Sequence, residues 1–454
     1  MIRFDFLKLS ARPSLSFVLL CCLLAVLCLA GGASRGDQAG QVVVRTATWL
    51  LVVVALLFSA RRREVRTKPV AIFIGVALVL PLLQLMPLPW HATPRRNPAD
   101  MIVSGMHAPL WQTVAMVPGA TLNAMMSLVV PAATLLFLAG CREREVRIWL
   151  PAALLAAVGA AMLYGFLQLS GAAIDNPLIN DTVGDVSAIF ANRNHFALFL
   201  AIGCVLVPAW VFAGGRRPGW RGPVGLSIVL LLVLMILAIG SRAGLLLGAI
   251  ALVTGLVLTR QGMSSDLKRL PRWVSSMIVA ATVTVVSGFT IITVMADRAE
   301  SITRIFNVEV GRDMRSRSLP TVLDMQKSYF PLGSGFGGFD RIFIMHEPDI
   351  LLKPTFFNHA HNDFLETFIE AGIPGIFLLG AVIIWWLWFS FMAWRHATER
   401  GNILPRIGSV IILLVMIASV FDYPARTPIM MAIMIIASVW LAMAPSATLP
   451  RSGA

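Results

Sequence analysis

The chain of 454 residues is apolar and basic: 57% of its residues are hydrophobic, 13% are charged, and the formal net charge is +14. A soluble protein of this length could not bury so much apolar surface, so the composition excludes a soluble globular protein. Apolar segments long enough to cross roughly 30 Å of hydrocarbon recur along the whole chain. The sequence therefore predicts an all-α membrane protein with about twelve transmembrane helices.

The predicted spans divide the chain into four regions, and the pair that meets at Ser241-Arg242 is predicted to form a tight hairpin. The spans cover about residues 15–33, 42–60, 69–89, 121–140, 149–170, 195–214, 223–240, 243–259, 274–296, 372–394, 407–421 and 428–445. The regions are 1–120 with spans one to three and the first large outer loop, 121–296 with spans four to nine, 297–371 as one long outer loop, and 372–454 with the last three spans and the tail.

The basic residues follow the predicted topology. With twelve spans, the arginine-rich loops all fall on one face, together with both termini. These loops lie at residues 61–68, 142–147, 216–221, 260–272 and 395–406. The positive-inside rule places them in the cytoplasm. The net charge therefore reflects topology and contact with anionic lipid, and no nucleic acid partner is expected.

The long outer loop ends in the segment 358–375, NHAHNDFLETFIEAGIPG, directly before an apolar span. Its two histidines, His359 and His361, could act as a base, relay protons or bind a metal. Their spacing differs from the i, i+4 pair of a zinc helix, although Asp363 and Glu366 could add oxygen ligands. A metal site is therefore the less favoured alternative.

Arginines also occur at the outer ends of two predicted spans. Arg193 opens the sixth span between two asparagines, in the motif Asn192-Arg193-Asn194-His195, and these asparagines could hold its orientation by hydrogen bonds. Arg242 interrupts an otherwise continuous apolar stretch, where asparagine or glycine would make a turn at less cost. Together these residues predict a cationic pocket that faces outward near the membrane surface.

The long loop contains a predicted helix and a glycine-rich turn. Ser318-Leu319-Pro320 is typical of a helix start, with serine as the cap and proline in the first turn. Pro331 and the glycines of 333–338 predict the helix end. The predicted apolar face, suited to the membrane surface, consists of Val322, Leu323, Met325, Tyr329 and Phe330. Three arginines precede this face: Arg312, Arg315 and Arg317. They could either face the lipid headgroups or bind phosphate oxygens of a substrate.

In these motifs the chain resembles the O-antigen ligase and polymerase superfamily over about residues 120–445. The shared motifs, in chain order, are Asn-Arg-Asn-His at 192–195, Ser-Arg-Ala-Gly at 241–244, the arginine-rich start of the long loop, and Pro-Leu-Gly-Ser-Gly at 331–335. The sharpest match is His361-Asn362, nine residues, and then Gly372-Ile373-Pro374-Gly375. It fits the ligase-type pattern of His-Asn, nine residues, Gly, two residues, Gly.

The resemblance implies a GT-C-like membrane glycosyltransferase that takes a glycan from a polyprenyl-diphosphate carrier at the periplasmic face of the bacterial inner membrane. Carried over to this chain, Arg193 and Arg242 would grip the diphosphate. An arginine at the start of the loop helix would join them, with Arg317 preferred over Arg315 and Arg312. Such cations would stabilise the charge that grows on the leaving group.

The resemblance assigns His361 to the acceptor, whose sugar hydroxyl needs a base because its pKa is high. His359 is expected to be a structural neighbour that donates to a backbone carbonyl. Asn362 and Asp363 are expected either to orient the imidazole or to cap the following helix. Attack opposite the diphosphate would invert the anomeric carbon. Because arginine can neutralise the diphosphate, no metal or other cofactor is expected.

The expected partners are the lipid-linked glycan donor, a lipid-core or glycan acceptor, and membrane lipids. A polymerase that extends its own glycan is an open alternative to a ligase. Export of a lipid-linked sugar is less favoured, since transport sites lie near the bilayer midplane and often between internal repeats. In this chain the polar residues cluster at the outer ends of the spans.

Overall fold

The computed structural model describes residues 12–59, 65–89, 111–172, 176–179, 185–213, 219–263, 288, 314–352, 357–395 and 403–444. These residues contain nine helical segments long and apolar enough to cross a membrane, and two shorter apolar helices. Eleven of the twelve predicted spans thus correspond to apolar helices, and the ninth, 274–296, lies outside the described residues apart from position 288. The prediction of an all-α membrane protein is confirmed.

The apolar helices are α1 (Leu15–Ala30), α2 (Ala39–Phe58), α3 (Lys68–Leu85), α4 (Pro118–Ser127), α5 (Val129–Gly140), α6 (Leu150–Leu169), α7 (Arg193–Val211), α8 (Arg221–Ile239), α9 (Arg242–Met263), α12 (Asp363–Arg395), α13 (Leu404–Phe421) and α14 (Pro428–Ala442). Helices α4 and α5 form one span, and a π-helical turn (Glu145–Trp149) leads into α6. The loop helices are α10 (Met314–Tyr329) and α11 (Phe339–His346). Short 3₁₀ turns lie at Asp349–Leu351 and Pro424–Arg426, and strand β1 (Pro87–Pro89) pairs antiparallel with β2 (Trp111–Thr113).

Helix α7 is the central element of the described bundle. In its apolar 18-residue window 89% of the residues are buried, and the helix packs against α6, α8, α9 and α13. Asn192 caps its first turn, because the Asn192 side chain accepts a hydrogen bond from the Asn194 amide at 2.8 Å. The polar residues at the start of α7 are therefore fixed against several neighbouring helices.

The hairpin predicted between the seventh and eighth spans is present. Helix α8 ends at Gly240, whose φ of +65° is the left-handed conformation that glycine adopts without steric cost. Ser241 then caps α9, since its hydroxyl accepts a hydrogen bond from the Gly244 amide at 2.9 Å. The turn brings Arg242 to the first residue of α9.

The loop helix differs from its prediction in start and in buried face. Helix α10 begins at Met314, so Pro320 lies inside it and Ser318 is not its cap. Val322 and Met325 are fully buried, whereas Leu323 and Phe330 are largely exposed. Only a narrow side of α10 packs into a small apolar cluster of the loop. That cluster consists of Val322, Met325, Phe339, Ile342, Phe343, Leu351, Phe357 and Ile369.

The glycine-rich turn docks onto a kink in α12. Gly372 has a φ of +56° and interrupts the helix, and the Pro331 carbonyl accepts a hydrogen bond from the Ile373 amide at 2.9 Å. A second backbone hydrogen bond runs from the Gly335 amide to the Glu370 carbonyl at 2.9 Å. The turn therefore anchors the outer loop to the start of α12 through backbone bonds.

We expect Gly372→Ala to destabilise the protein. An added Cβ would lie 2.0 Å from the Pro331 oxygen, and a left-handed alanine adds backbone strain of ~1–3 kcal/mol. The thermal unfolding midpoint of the purified protein should fall by about 2 °C or more. Gly75→Ala in α3 is the matched control, because no heavy atom lies within 4 Å of its added Cβ. An unchanged midpoint for Gly372→Ala would contradict this role of the kink.

Candidate functional site

The histidine segment lies immediately before α12 and is held in an unusual conformation. His361 has a φ of +54°, which is uncommon for a residue with a side chain. Asn362 caps the helix, since its Oδ1 accepts a hydrogen bond from the Leu365 amide at 3.0 Å. Of the two roles predicted for Asn362, the structure thus supports the cap. Strained backbone of this kind clusters at functional sites, where the surrounding contacts must hold it.

A hydrogen bond and two aromatic rings help to hold the His361 side chain. Its Nδ1 lies 2.9 Å from the His359 carbonyl oxygen. A carbonyl only accepts, so Nδ1 carries the proton and, in the neutral ring, Nε2 is the basic nitrogen. The imidazole stacks on Phe357 at 4.9 Å and meets the edge of Tyr423 at 5.0 Å between ring centroids.

His359 has different partners from those expected. Its Nδ1 donates to Glu366 Oε1 at 2.8 Å, and its Nε2 lies 3.0 Å from the hydroxyl oxygen of Ser34. The expected donation to a backbone carbonyl is therefore wrong for His359; His361 makes that contact. Hydrogen bonds to Glu366 and Ser34 use both ring nitrogens of His359, which suits a structural role.

Arg426 joins three carboxylates on one face of α12. Its Nε lies 3.3 Å from Asp363 Oδ1, its Nη1 3.1 Å from Glu366 Oε1, and its Nη2 3.0 Å from Glu370 Oε2. The Arg426 side chain is 19% exposed, and those of Glu366 and Glu370 are 1% and 0% exposed. We call these four residues the Arg426 cluster.

The Arg426 cluster also holds the surrounding backbone. Asp363 accepts from the Ser419 hydroxyl at 2.8 Å, and Glu370 accepts from the Gly337 amide at 2.8 Å. Burial by itself lowers the pKa of Arg426, but the three carboxylates outweigh it and raise that pKa above its ordinary value. Arg426 is thus a permanent cation that ties α12, the glycine turn and the 3₁₀ turn together.

A second polar group lies at the start of α7. Asn192 and Asn194 each donate from Nδ2 to Asp422 Oδ2, at 2.9 and 2.7 Å. The Ser241 hydroxyl donates to Asn194 Oδ1 at 2.6 Å. The two asparagines therefore bind Asp422 and Ser241, whereas the sequence suggested that they orient Arg193. In this way the predicted motifs at 192–195 and 241–244 become physical neighbours.

Tyr423 connects this polar group to the histidines. Its ring centroid lies 4.2 Å from that of His359, 5.0 Å from that of His361 and 5.2 Å from that of His195. Burial, followed by the adjacent Asp422 carboxylate, raises the pKa of Tyr423 to about 12. Its hydroxyl is therefore protonated at neutral pH and can donate a hydrogen bond.

The predicted arginines occupy different surroundings. Arg193 is about half exposed and lies 3.5 Å from Asp185, and Arg242 is exposed beside Ser241. The structure thus brings Arg193 and Arg242 to the polar group around Asp422. Arg317 donates from Nη2 to the Ile350 carbonyl at 2.8 Å, within the outer loop. Arg312 and the side chain of Arg315 lie outside the described residues.

Three contributors were missed in the sequence. The sequence analysis gave no role to Arg426, although carboxylates at positions 363, 366 and 370 share a helix face and require a counter-ion. The first three spans lie before the segment of resemblance, 120–445, and were given no site residue. In the structure Ser34 contacts His359, and Gln84 of α3 accepts from the Phe336 amide at 3.1 Å and donates to the Glu370 carbonyl at 2.8 Å.

We expect Arg426→Ala to cost about 3–5 kcal/mol of stability, because it leaves buried carboxylates without their cation. The deficit relative to the wild type should shrink as the pH is lowered to about 5, since protonation removes buried negative charge. Thermal unfolding of both proteins across that pH range measures the effect. Arg341→Ala, at a side chain that is 71% exposed, should change stability by less than about 0.5 kcal/mol. A deficit no larger than that of Arg341→Ala would contradict the role of Arg426.

Comparison with known proteins places the centre of this arrangement in one family. The model of the family described as O-Antigen ligase matches residues 227–380, which include Arg242, Arg317 and His361. Ser34, Arg193 and Arg426 lie outside the matched segment. A search of curated proteins found no match. The segment 227–380 is thus similar to the O-antigen ligase family, as the sequence motifs within it predicted.

Proposed function

We propose that the protein is an inverting, metal-independent glycosyltransferase of the ligase type. It transfers a glycan from a polyprenyl-diphosphate carrier to a hydroxyl of a lipid-core acceptor at the periplasmic face of the inner membrane. The observation that carries this proposal is the hydrogen bond from His361 Nδ1 to the His359 carbonyl, at 2.9 Å. That bond leaves Nε2 as the basic nitrogen of the neutral ring, next to Tyr423 and the polar start of α7.

The proposed reaction is a single displacement. His361 Nε2 takes the proton of the acceptor hydroxyl as its oxygen attacks the anomeric carbon. The bond from that carbon to the diphosphate oxygen breaks on the opposite face, and polyprenyl diphosphate leaves with the bonding electron pair. A positioned base of this kind contributes about 10²–10⁴-fold to the rate. The products are an inverted glycoside and the lipid carrier.

The arginines supply the charge that the leaving group requires. Arg193 and Arg242 lie at adjoining helix starts, linked through Asn194 and Ser241. A guanidinium binds phosphate oxygens in a bidentate manner and stays charged at every working pH. We propose that these two arginines hold the diphosphate and stabilise its growing charge. Arg317, and Arg315 beside it in α10, are proposed to add a further cation from the outer loop.

The lipid carrier needs an apolar path next to the histidines. A groove of about 500 Å³ begins at Asn362 and extends along α12 to Ile383. Its apolar walls include Phe364, Phe368 and Leu379. In the apolar 18-residue window of α12 only 11% of the residues are buried, so the groove opens where hydrocarbon would surround it. We propose that the polyprenyl tail lies in this groove while the diphosphate reaches the arginines.

The two carboxylates considered as metal ligands form ion pairs with Arg426 instead. Asp363 and Glu366 both bind Arg426, and Glu366 also binds His359. We therefore propose that these side chains maintain the position of the histidine segment. Metal independence of the reaction stays a prediction.

His361→Ala is expected to reduce glycan transfer by about 10²–10⁴-fold, because the acceptor hydroxyl loses its base. The assay follows transfer from a polyprenyl-diphosphate-linked glycan to rough lipopolysaccharide by purified protein. The matched control is His346→Ala, because His346 lies in the same outer loop and its Nδ1 also contacts a backbone carbonyl, that of Ile342 at 3.0 Å.

Full transfer activity of a normally folded His361→Ala protein would refute the assignment of the base. Extension of the donor glycan without added lipopolysaccharide would instead identify a polymerase. If neither reaction occurs with the wild type, the proposed function is wrong.

A further inference from the structure

A polar cavity, separate from the apolar groove, lies beside Tyr423. Its volume is about 150 Å³, and its walls include Ser34, Arg35, Asn192, His195, Asn358 and Tyr423. Each of these side chains can donate or accept hydrogen bonds. At about 30 Å³ for each water molecule, the cavity has room for about five waters, which is the scale of one monosaccharide ring.

One buried wall group has an unused hydrogen-bonding position. His195 is 2% exposed, and its Nε2 makes no hydrogen bond to any described residue; Asp422 Oδ1 is 3.6 Å away. Phe190 and Tyr423 hold the ring by edge contacts at 6.4 and 5.2 Å between centroids. Buried polar atoms of this kind are normally satisfied, so the nitrogen points to a ligand with a hydroxyl group.

The charges around the cavity favour an uncharged ligand. Arg35 forms a salt bridge with Asp37, and the hydrogen bond from Arg35 holds the pKa of Asp37 below its ordinary value. The Asp422 carboxylate lies behind Asn192 at 2.9 Å. The arginine on the cavity wall is therefore balanced by a neighbouring carboxylate. A neutral polyol suits this cavity better than a phosphate does.

The position of the cavity assigns the ligand to one side of the reaction. The Tyr423 ring lines the cavity and also contacts both His359 and His361, so one aromatic ring connects a sugar in the cavity with the proposed base. Among the six wall residues named above, only Asn358 belongs to the segment 227–380 that matches the family model. The cavity is thus built mainly from parts of the chain outside the segment that matches the family model.

We propose that this cavity binds the acceptor sugar, with His195, Asn192 and Tyr423 as specificity-determining contacts to its hydroxyl groups. The inference rests on the proposed glycosyl transfer and adds the acceptor subsite to it. Loop residues Ser34 and Arg35, between α1 and α2, form the outer wall of this subsite.

The test fills the cavity while the proposed base and arginines stay unchanged. Ala191 is half-buried on the cavity wall, so Ala191→Leu places three further carbon atoms inside it. We expect the KM for the acceptor, rough lipopolysaccharide or a second donor glycan, to rise by about tenfold or more. The KM for the lipid-linked donor, and its slow hydrolysis by water without an acceptor, should stay within about twofold of the wild type.

Two further variants complete the experiment. Ala39→Leu adds the same side chain at an exposed position at the start of α2 and should leave both KM values unchanged. His195→Phe keeps the ring but removes Nε2, and it should raise the acceptor KM even if Ala191→Leu fails to fold. If the wild type transfers glycan while neither folded variant changes the acceptor KM, the subsite is wrong and the proposed function stands. Absence of transfer by the wild type would overturn both proposals.

Discussion

The arrangement of the site depends on one buried guanidinium. Arg426 reaches three carboxylates of α12 within 3.0–3.3 Å, and their remaining oxygens bind the Ala360 amide, the Gly337 amide and the Ser419 hydroxyl. Each carboxylate therefore fixes a different piece of the outer loop or of a neighbouring helix. Without the cation, buried negative charges would repel one another at the point where the histidine segment begins.

This constraint explains why two histidines so close in sequence have different hydrogen-bond partners. Glu366 accepts a hydrogen bond from Nδ1 of His359, and Ser34 contacts the other nitrogen, so His359 is tied to the cluster. The left-handed conformation of His361 turns its ring toward Phe357 and Tyr423. The backbone carbonyl of His359 then sets the tautomer of His361. In the proposed reaction, one histidine positions the base and the other acts as that base.

Much of the fold follows from patterns that are local in the sequence. Apolar runs predicted the spans, Ser241 the tight hairpin, and Asn362 a helix cap, because each depends on neighbours within a few residues. The predicted start of α10 was wrong, since the helix already includes the residues ahead of Pro320. The Arg426 cluster and the contact of Ser34 with His359 join residues 56 to 325 positions apart. A single sequence carries no direct sign of such pairings, although three carboxylates on one buried helix face do require a cation.

The central claim is that the arginines of α7 and α9 hold the donor diphosphate while His361 faces its first sugar. A cryo-electron microscopy structure with a non-transferable phosphonate analogue of the lipid-linked donor tests it most directly. We expect the diphosphate within hydrogen-bonding distance of Arg193 and Arg242, the tail along α12, and the anomeric carbon directed toward His361 Nε2. A diphosphate bound away from both arginines, or an anomeric carbon remote from His361, would contradict the claim.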